Sequence, residues 1–244
     1  MPPTSQHTTG AFIVALGVLI LSFDALLIRL VNAPEWDVVF WRGLLMAFTL
    51  FLAIAIQNKN SMRLFLSFGW PALFTALIQG VGSALFVLAV NHTSVANTVV
   101  LIATAPLFAA MALGGNLTLL RRYHEMPRMP VVAVSGLITA ALAIPLSNPL
   151  ELSTQSYAWL ALMGMVQMPA ALVMITLGTR YLTSPEVSLF ILLETLFGPI
   201  WVWLVLGETV SPETLGGGMI IVGTLAIYSW LNIQQARFVS IQKM

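Results

Sequence analysis

PEVSLFILLETLFGPIWVWLVLGE, residues 185–208, decides the fold of this chain. Between Glu186 and Glu208 it has one charged side chain, Glu194. Residues 200–206 are apolar on every face, so neither the alternation of a barrel strand nor the polar face of a surface helix is present. Residues 185–206 as an α-helix cover ~33 Å at the helical rise, enough for the ~30 Å hydrocarbon core of a bilayer. Working outward from this segment, polar, proline and glycine punctuation marks seven more of the same kind, at approximately 11–31, 38–56, 69–91, 95–120, 130–147, 157–178 and 215–233. The fold class expected is all-α, a polytopic bundle of about eight transmembrane helices.

Composition agrees. Of the 244 residues, 59% are hydrophobic and 8% charged, against roughly a quarter charged in a soluble domain. The apolar character persists from Ala11 to Ile233, so one signal or anchor segment does not account for it. The first ten residues lack a basic n-region, and the run after them is too long for a signal-peptide core, so it reads as a retained first helix. The absence of cysteine excludes disulfides, thiolate metal sites and cysteine nucleophiles. A net charge of +1 gives no reason to expect nucleic acid.

Charge position carries more information than charge sum. Lys59, Arg63, Arg121, Arg122, Arg128, Arg180, Arg237 and Lys243 fall at alternate connections or at the C-terminus. The remaining connections carry Glu35, Asp37, Glu151, Glu208 and Glu213 and no basic residue. The positive-inside rule then places both termini in the cytoplasm, which requires an even number of crossings. Segment 88–108 can be laid over 177–197, matching Leu88, Leu107 and Phe108 to Leu177, Leu196 and Phe197. In both, a Thr/Ser-rich turn starts a helix with a proline beyond its middle, Pro106 and Pro199. The two turns fall on opposite sides, as in an inverted repeat.

Several stretches resemble the drug/metabolite transporter superfamily, EamA-type. They are Phe-Trp-Arg-Gly-Leu-Leu at 40–45, Thr-Ser-Val-Ala-Asn at 93–97 with Pro-Leu-Phe at 106–108, and Leu-Leu-Glu-Thr-Leu-Phe-Gly-Pro at 192–199. Leu-Gly-Glu at 206–208 and a glycine-rich last helix complete the series. The motifs are loose one by one, but their order spans most of the chain. The resemblance implies ten helices in two inverted halves of five, whereas this chain accommodates eight. Ala109-Ala110-Met111 runs directly into a stretch, 112–122, similar to the end of the family's sixth helix. The fifth helix and most of the sixth are thus missing, and the orientation of every later helix is kept. The implied organisation is a truncated first repeat at 1–112, a second at 113–235 and a cytoplasmic tail at 236–244. The implied location is the plasma membrane, or the inner membrane of a cell with two.

Ionisable groups within a span are costly in hydrocarbon and are default functional candidates. Asp24 lies ~10 Å and Arg42 about 6 to 8 Å below the outer ends of their helices, depths compatible with an ion pair that either pins the first two helices or serves substrate. Glu194 lies ~14 Å from the cytoplasmic end of its helix. Gln79, Gln167 and Thr104, from three other helices, fall at a similar depth. On its own helix Glu194 shares a face with Phe190, Phe197 and Trp201. A carboxylate beside aromatic rings suits an ammonium-bearing or flat polar ligand. The alternative reading has the rings facing lipid and the glutamines bonding neighbouring helices. Pro106, Pro169 and Pro199 each release a backbone carbonyl, for ligand binding or helix bending. Gly80-Val81-Gly82-Ser83-Ala84 and Gly216-Gly217-Gly218 read as close-packing runs.

Competing classes fare less well. His7, His92 and His124 lie in tails or loops, so a midmembrane histidine catalyst or metal cluster lacks ligands, and no metal or cofactor is expected. No phosphate-binding G-x-x-x-x-G-K-[ST] loop is present. No lysine lies inside a helix for a retinal-type Schiff base. A channel should show a polar stripe along a helix, whereas polar residues here concentrate at one depth. The reading is a non-enzymatic transporter of a small polar metabolite, such as an amino acid or amine, working by alternating access. A non-transporting relative, a channel and a structural subunit are the alternatives. The partners expected are a small-molecule substrate and the bilayer, with a homodimer left open.

Overall fold

The computed structural model describes residues 4–57, 69–98, 128–178, 181–182 and 184–208, with seven further positions between 212 and 227. Among these residues the secondary structure is helical and contains no strand. Helix α1 (Thr4–Leu21) is followed after two residues by α2 (Asp24–Val31), then α3 (Glu35–Gln57) and α4 (Trp70–His92). A helix opens again at 95–98. Helix α5 (Arg128–Ala143) ends in a 3-10 turn, Ile144–Leu146, and α6 (Thr154–Ala161) passes through a π-helical stretch, Leu162–Gln167, into α7 (Met168–Gly178). Helix α8 is Ser184–Leu206. Among the described residues, five apolar helical stretches are long enough to cross a membrane: Thr8–Val31, Glu35–Ile56, Trp70–His92, Met129–Leu146 and Thr154–Ile175. Six of the eight expected segments are therefore seen as helix. Most of the expected segment 95–120 lies outside the described residues, as do Lys59, Arg63 and Pro106, and 215–233 is described at isolated positions.

Boundaries follow local chemistry. Helix α2 stops at Asn32, whose φ of 45° is a left-handed conformation that asparagine tolerates better than most residues. Pro34 then starts α3, its carbonyl accepting from Asp37 N at 3.0 Å and Val38 N at 3.2 Å. Here the loop assignment of Glu35 and Asp37 is corrected: both lie in the first turn of α3, where carboxylates favour the positive end of the helix dipole. Ser153 caps α6 by accepting from Ser156 N at 3.1 Å. Gly207, with φ of 70°, ends α8 and donates from its N–H to the Trp203 carbonyl at 3.0 Å.

The described residues form two compact units. The first contains residues up to Asp24, the helical start at Ser94 and everything described from Ala170 onward. In it α1 packs against α8. Val14, Val18, Leu182 and Val187 form a buried cluster against which Ala11, Ile175, Phe190 and Leu193 pack. The second unit contains Ala25–Thr93 and the described residues up to Pro169. Its centre is the seam of α3 on α5. A Cβ on Gly43 would stand 2.6 Å from the Gly136 carbonyl oxygen, and one on Gly136 would stand 2.7 Å from the Gly43 carbonyl oxygen. Only glycine permits such an approach of backbones, as membrane helices use where apolar burial supplies no drive between them. Thr139, fully buried on α5, places its hydroxyl 3.0 Å from the Gly80 carbonyl of α4 and 2.8 Å from that of Ser135.

Candidate functional site

The sequence reads 11–31 as one helix, whereas the structure interrupts it at Ser22 and Phe23. The Ser22 hydroxyl donates to the Leu19 carbonyl at 2.7 Å, and Phe23 N donates to the Ile20 carbonyl at 3.3 Å, a tighter turn than the α-helical ladder. Asp24 then begins α2 and is buried.

On this interruption sits an aromatic stack that α8 supplies. The Trp201 indole Nε1–H donates to Ser22 Oγ at 2.9 Å. The Phe23 ring lies 4.5 Å from that of Trp201 with 16° between planes, and Phe197 stacks on Trp201 at 6.1 Å and 19°. Phe197 and Trp201 are three and seven residues beyond Glu194, so the carboxylate shares their helix face. Glu194 is half-buried. Phe197 and Trp201, which spacing puts on one face, stack on each other, and Phe23 joins the stack as a residue the sequence reading missed. Its signal was the triplet Ser-Phe-Asp inside an apolar run, where a serine hydroxyl and a carboxylate both compete for backbone groups. Phe190 has a different surrounding: it packs on the Val14 and Val18 cluster. Pro199 lies inside the continuous helix α8. Thr104 lies outside the described residues.

The second unit holds the other polar candidates. Arg42 is 3% exposed, and its Nη1 donates to the Ser83 hydroxyl of α4. Its guanidinium also lies 5.8 Å from the centroid of the Phe86 ring, within cation–π range. Gln79, Ser83 and Phe86 are spaced i, i+4 and i+7, so they share the α4 face that holds Arg42, and Gln79 is exposed on it. Gln167 is buried at the end of the π-helical stretch, two residues before Pro169. Proline has no N–H, so the α-helical partner of the Met165 carbonyl is missing, and Met168 N instead donates to the Met163 carbonyl, five residues back. Asp24 and Arg42 fall in different units. Among the described residues no group of three or more His, Asp or Glu is arranged to hold a metal ion.

A carboxylate on a ring-lined face can pair with a cation, and interrupted helices expose backbone groups within a span. Neither the search of curated proteins nor that of solved structures finds a match. A sequence profile of the EamA-like transporter family matches residues 109–230, half of the chain, including α5 to α8 and Glu194. This multi-pass integral membrane protein belongs to the EamA-like transporter family.

Proposed function

We propose that the protein carries a small polar metabolite bearing an amine, such as an amino acid or a free amine, across a cytoplasmic membrane by alternating access. Both termini lie in the cytoplasm, and the two sequence repeats, 1–112 and 113–235, supply the inverted halves. One observation carries the reading: Glu194 shares a helix face with Phe197 and Trp201, and Trp201 stacks both on Phe197 and on Phe23 at the interruption of the first span. Broken helices beside an intramembrane carboxylate are the usual material of a transporter site. Phe23, Phe197 and Trp201 supply the flat walls, and Glu194 the counter-charge for the ammonium.

The test is uptake and efflux by the purified chain in liposomes, with a panel of amino acids, amines and sugars. Flux that saturates with an amine-bearing substrate and vanishes in Glu194→Gln, with that variant still folded and inserted, is the expected result. Flux that Glu194→Gln leaves unchanged removes the carboxylate from the site. No flux from folded protein with any member of the panel favours the second reading, a non-transporting relative, which the shortened stretch after Pro-Leu-Phe at 106–108 would explain.

A further inference from the structure

We infer that the places where the chain passes between its two compact units are hinges, located at Ser22–Asp24, at Thr93–Ser94 and at Gln167–Pro169. The inference rests on the alternating-access reading and supplies it with moving parts.

In a helix bundle, a change of unit is expected in a loop. Here two of the passages fall inside membrane spans: Asp24 to Ala25 within Thr8–Val31, and Pro169 to Ala170 within Thr154–Ile175. An unbroken α-helix across such a point would be a stiff rod joining the units. Both spans are irregular at just these positions. The first leaves the helix at Ser22 and Phe23, and the other widens into the π-helical stretch Leu162–Gln167 immediately before Pro169. The spans lying wholly in one unit, Glu35–Ile56, Trp70–His92 and Met129–Leu146, are α-helical apart from the closing 3-10 turn of the last. Among the described residues, the defects inside a span therefore coincide with passage between units.

Each defect is soft for a stated reason. At Ser22 the hydroxyl occupies the Leu19 carbonyl, so bending there need not strip a carbonyl of its partner. At Pro169 the missing N–H has already removed one rung of the ladder, and the wider turn closing at Met168 N to Met163 O takes up the extra residue. The passage at Thr93–Ser94 is a short extended link fastened at both ends. Arg29 Nη2 donates to the Thr93 carbonyl at 2.7 Å in one unit, and Val95 N donates to Glu208 Oε1 at 3.2 Å in the other. Thr93 itself is extended, with φ of −141° and ψ of 178°. Anchored ends confine rotation to the few bonds between them, the usual construction of a hinge. The remaining passage, at Pro106–Leu107, lies outside the described residues.

The natural chain has no cysteine, so paired spin labels can be introduced without background. Ile56, Leu150 and Leu204 are well exposed and serve as sites. Ile56→Cys with Leu150→Cys reports within the second unit, and Leu150→Cys with Leu204→Cys reports between units. Dipolar distance measurements in lipid nanodiscs, without substrate, should give one narrow distribution for the first pair and at least two populations for the second. Pro169→Ala, which restores the missing donor, should shift the ratio of those populations at least about 3-fold and leave the first pair unchanged. Should Pro169→Ala not fold, Ser22→Ala gives the same readout, because it removes both hydrogen bonds that fix the interruption. A between-unit distribution as narrow as the within-unit one, or one that neither substitution moves, overturns the inference. Flux in liposomes together with such a rigid distribution would leave the transporter reading standing without these hinges. Two populations with no flux for any substrate would do the reverse.

Discussion

The seam between α3 and α5 and the seam between α1 and α8 join helices of similar apolarity by opposite means. At the first, Gly43 and Gly136 remove the side chains and let backbone meet backbone, with Ala47 and Thr139 filling the flanks. At the second, Val14 and Val18 pack against Val187, and just past the end of α1 Phe23 stacks on Trp201, which also stacks on Phe197 and donates an indole hydrogen bond to Ser22. A backbone contact has no torsion left to adjust, so it resists relative movement of the helices as a packed core does. A ring stack has χ angles and a shallow potential for sliding, and its cost of rearrangement is spread over several contacts. The difference teaches which seam is framework and which can change with a ligand: the adjustable seam carries Glu194 and the interrupted helix.

The sharpest way to break this contrast is to put a side chain into the glycine seam. Gly43→Val should cost about 3 kcal/mol or more, because its Cβ would meet the Gly136 carbonyl and the Ala140 amide, which are backbone atoms and cannot swing away. Thermal unfolding in detergent and the yield of monodisperse protein check it. Gly82→Ala is the control. Nothing lies within 4 Å of the added methyl group, and the exchange should stabilise α4 by up to about 1 kcal/mol. Equal tolerance of both substitutions would mean that the α3–α5 seam is not the framework.

On the ring seam the expected effect is smaller. Trp201→Phe keeps a ring for stacking but deletes the donor to Ser22 Oγ, and should cost about 1 kcal/mol in thermal unfolding. It should also loosen the interruption of the first span, so hydrogen exchange of the amides at Ser22 and Phe23 should quicken relative to those of α3. A stability loss as large as that of Gly43→Val would show the ring seam to be just as unforgiving.

The bilayer's demand that every backbone group be satisfied within the span made the helices legible, because it forces about 20 apolar residues into one continuous form. The same demand hid the interruption at Ser22. A hydroxyl that satisfies the Leu19 carbonyl lets the helix break without any proline or glycine to mark it. The π-helical stretch was half legible: Pro169 predicted a released carbonyl, while the widened turn, closed by Met168 N on the Met163 carbonyl, has no residue of its own to mark it. Helical spacing gave Phe197 and Trp201 as companions of Glu194, because i+3 and i+7 are fixed by one helix. It could not give Phe23, which reaches Trp201 from the interruption between α1 and α2. Nor could it give the Arg42 to Ser83 bond, which depends on how α3 and α4 pack. Asp37 reads as an acid of a connection, yet it is buried in α3 and accepts from Asn148 N at 2.6 Å, since only the folded chain brings residues 37 and 148 together.

The mildest test concerns the loop that Asp37 helps to fasten. The Pro149 carbonyl accepts two donors, Trp41 Nε1–H and Tyr157 O–H, each at 2.8 Å, and the two rings meet edge to face at 5.7 Å. A carbonyl has two lone pairs, so deleting one donor leaves it satisfied by the other. Tyr157→Phe alone should therefore cost no more than about 0.5 kcal/mol, and Trp41→Phe about as little beyond its lost ring area. Deleting both leaves the carbonyl to water alone. With the neighbouring Leu150 at 84% exposure, water can reach this loop, so the double substitution should cost only about 1 kcal/mol more than the sum of the singles. A double-mutant cycle on thermal unfolding reads that excess. Strict additivity would show that the two donors act separately, and that Asp37 and the glycine seam fasten this end of the second unit without them.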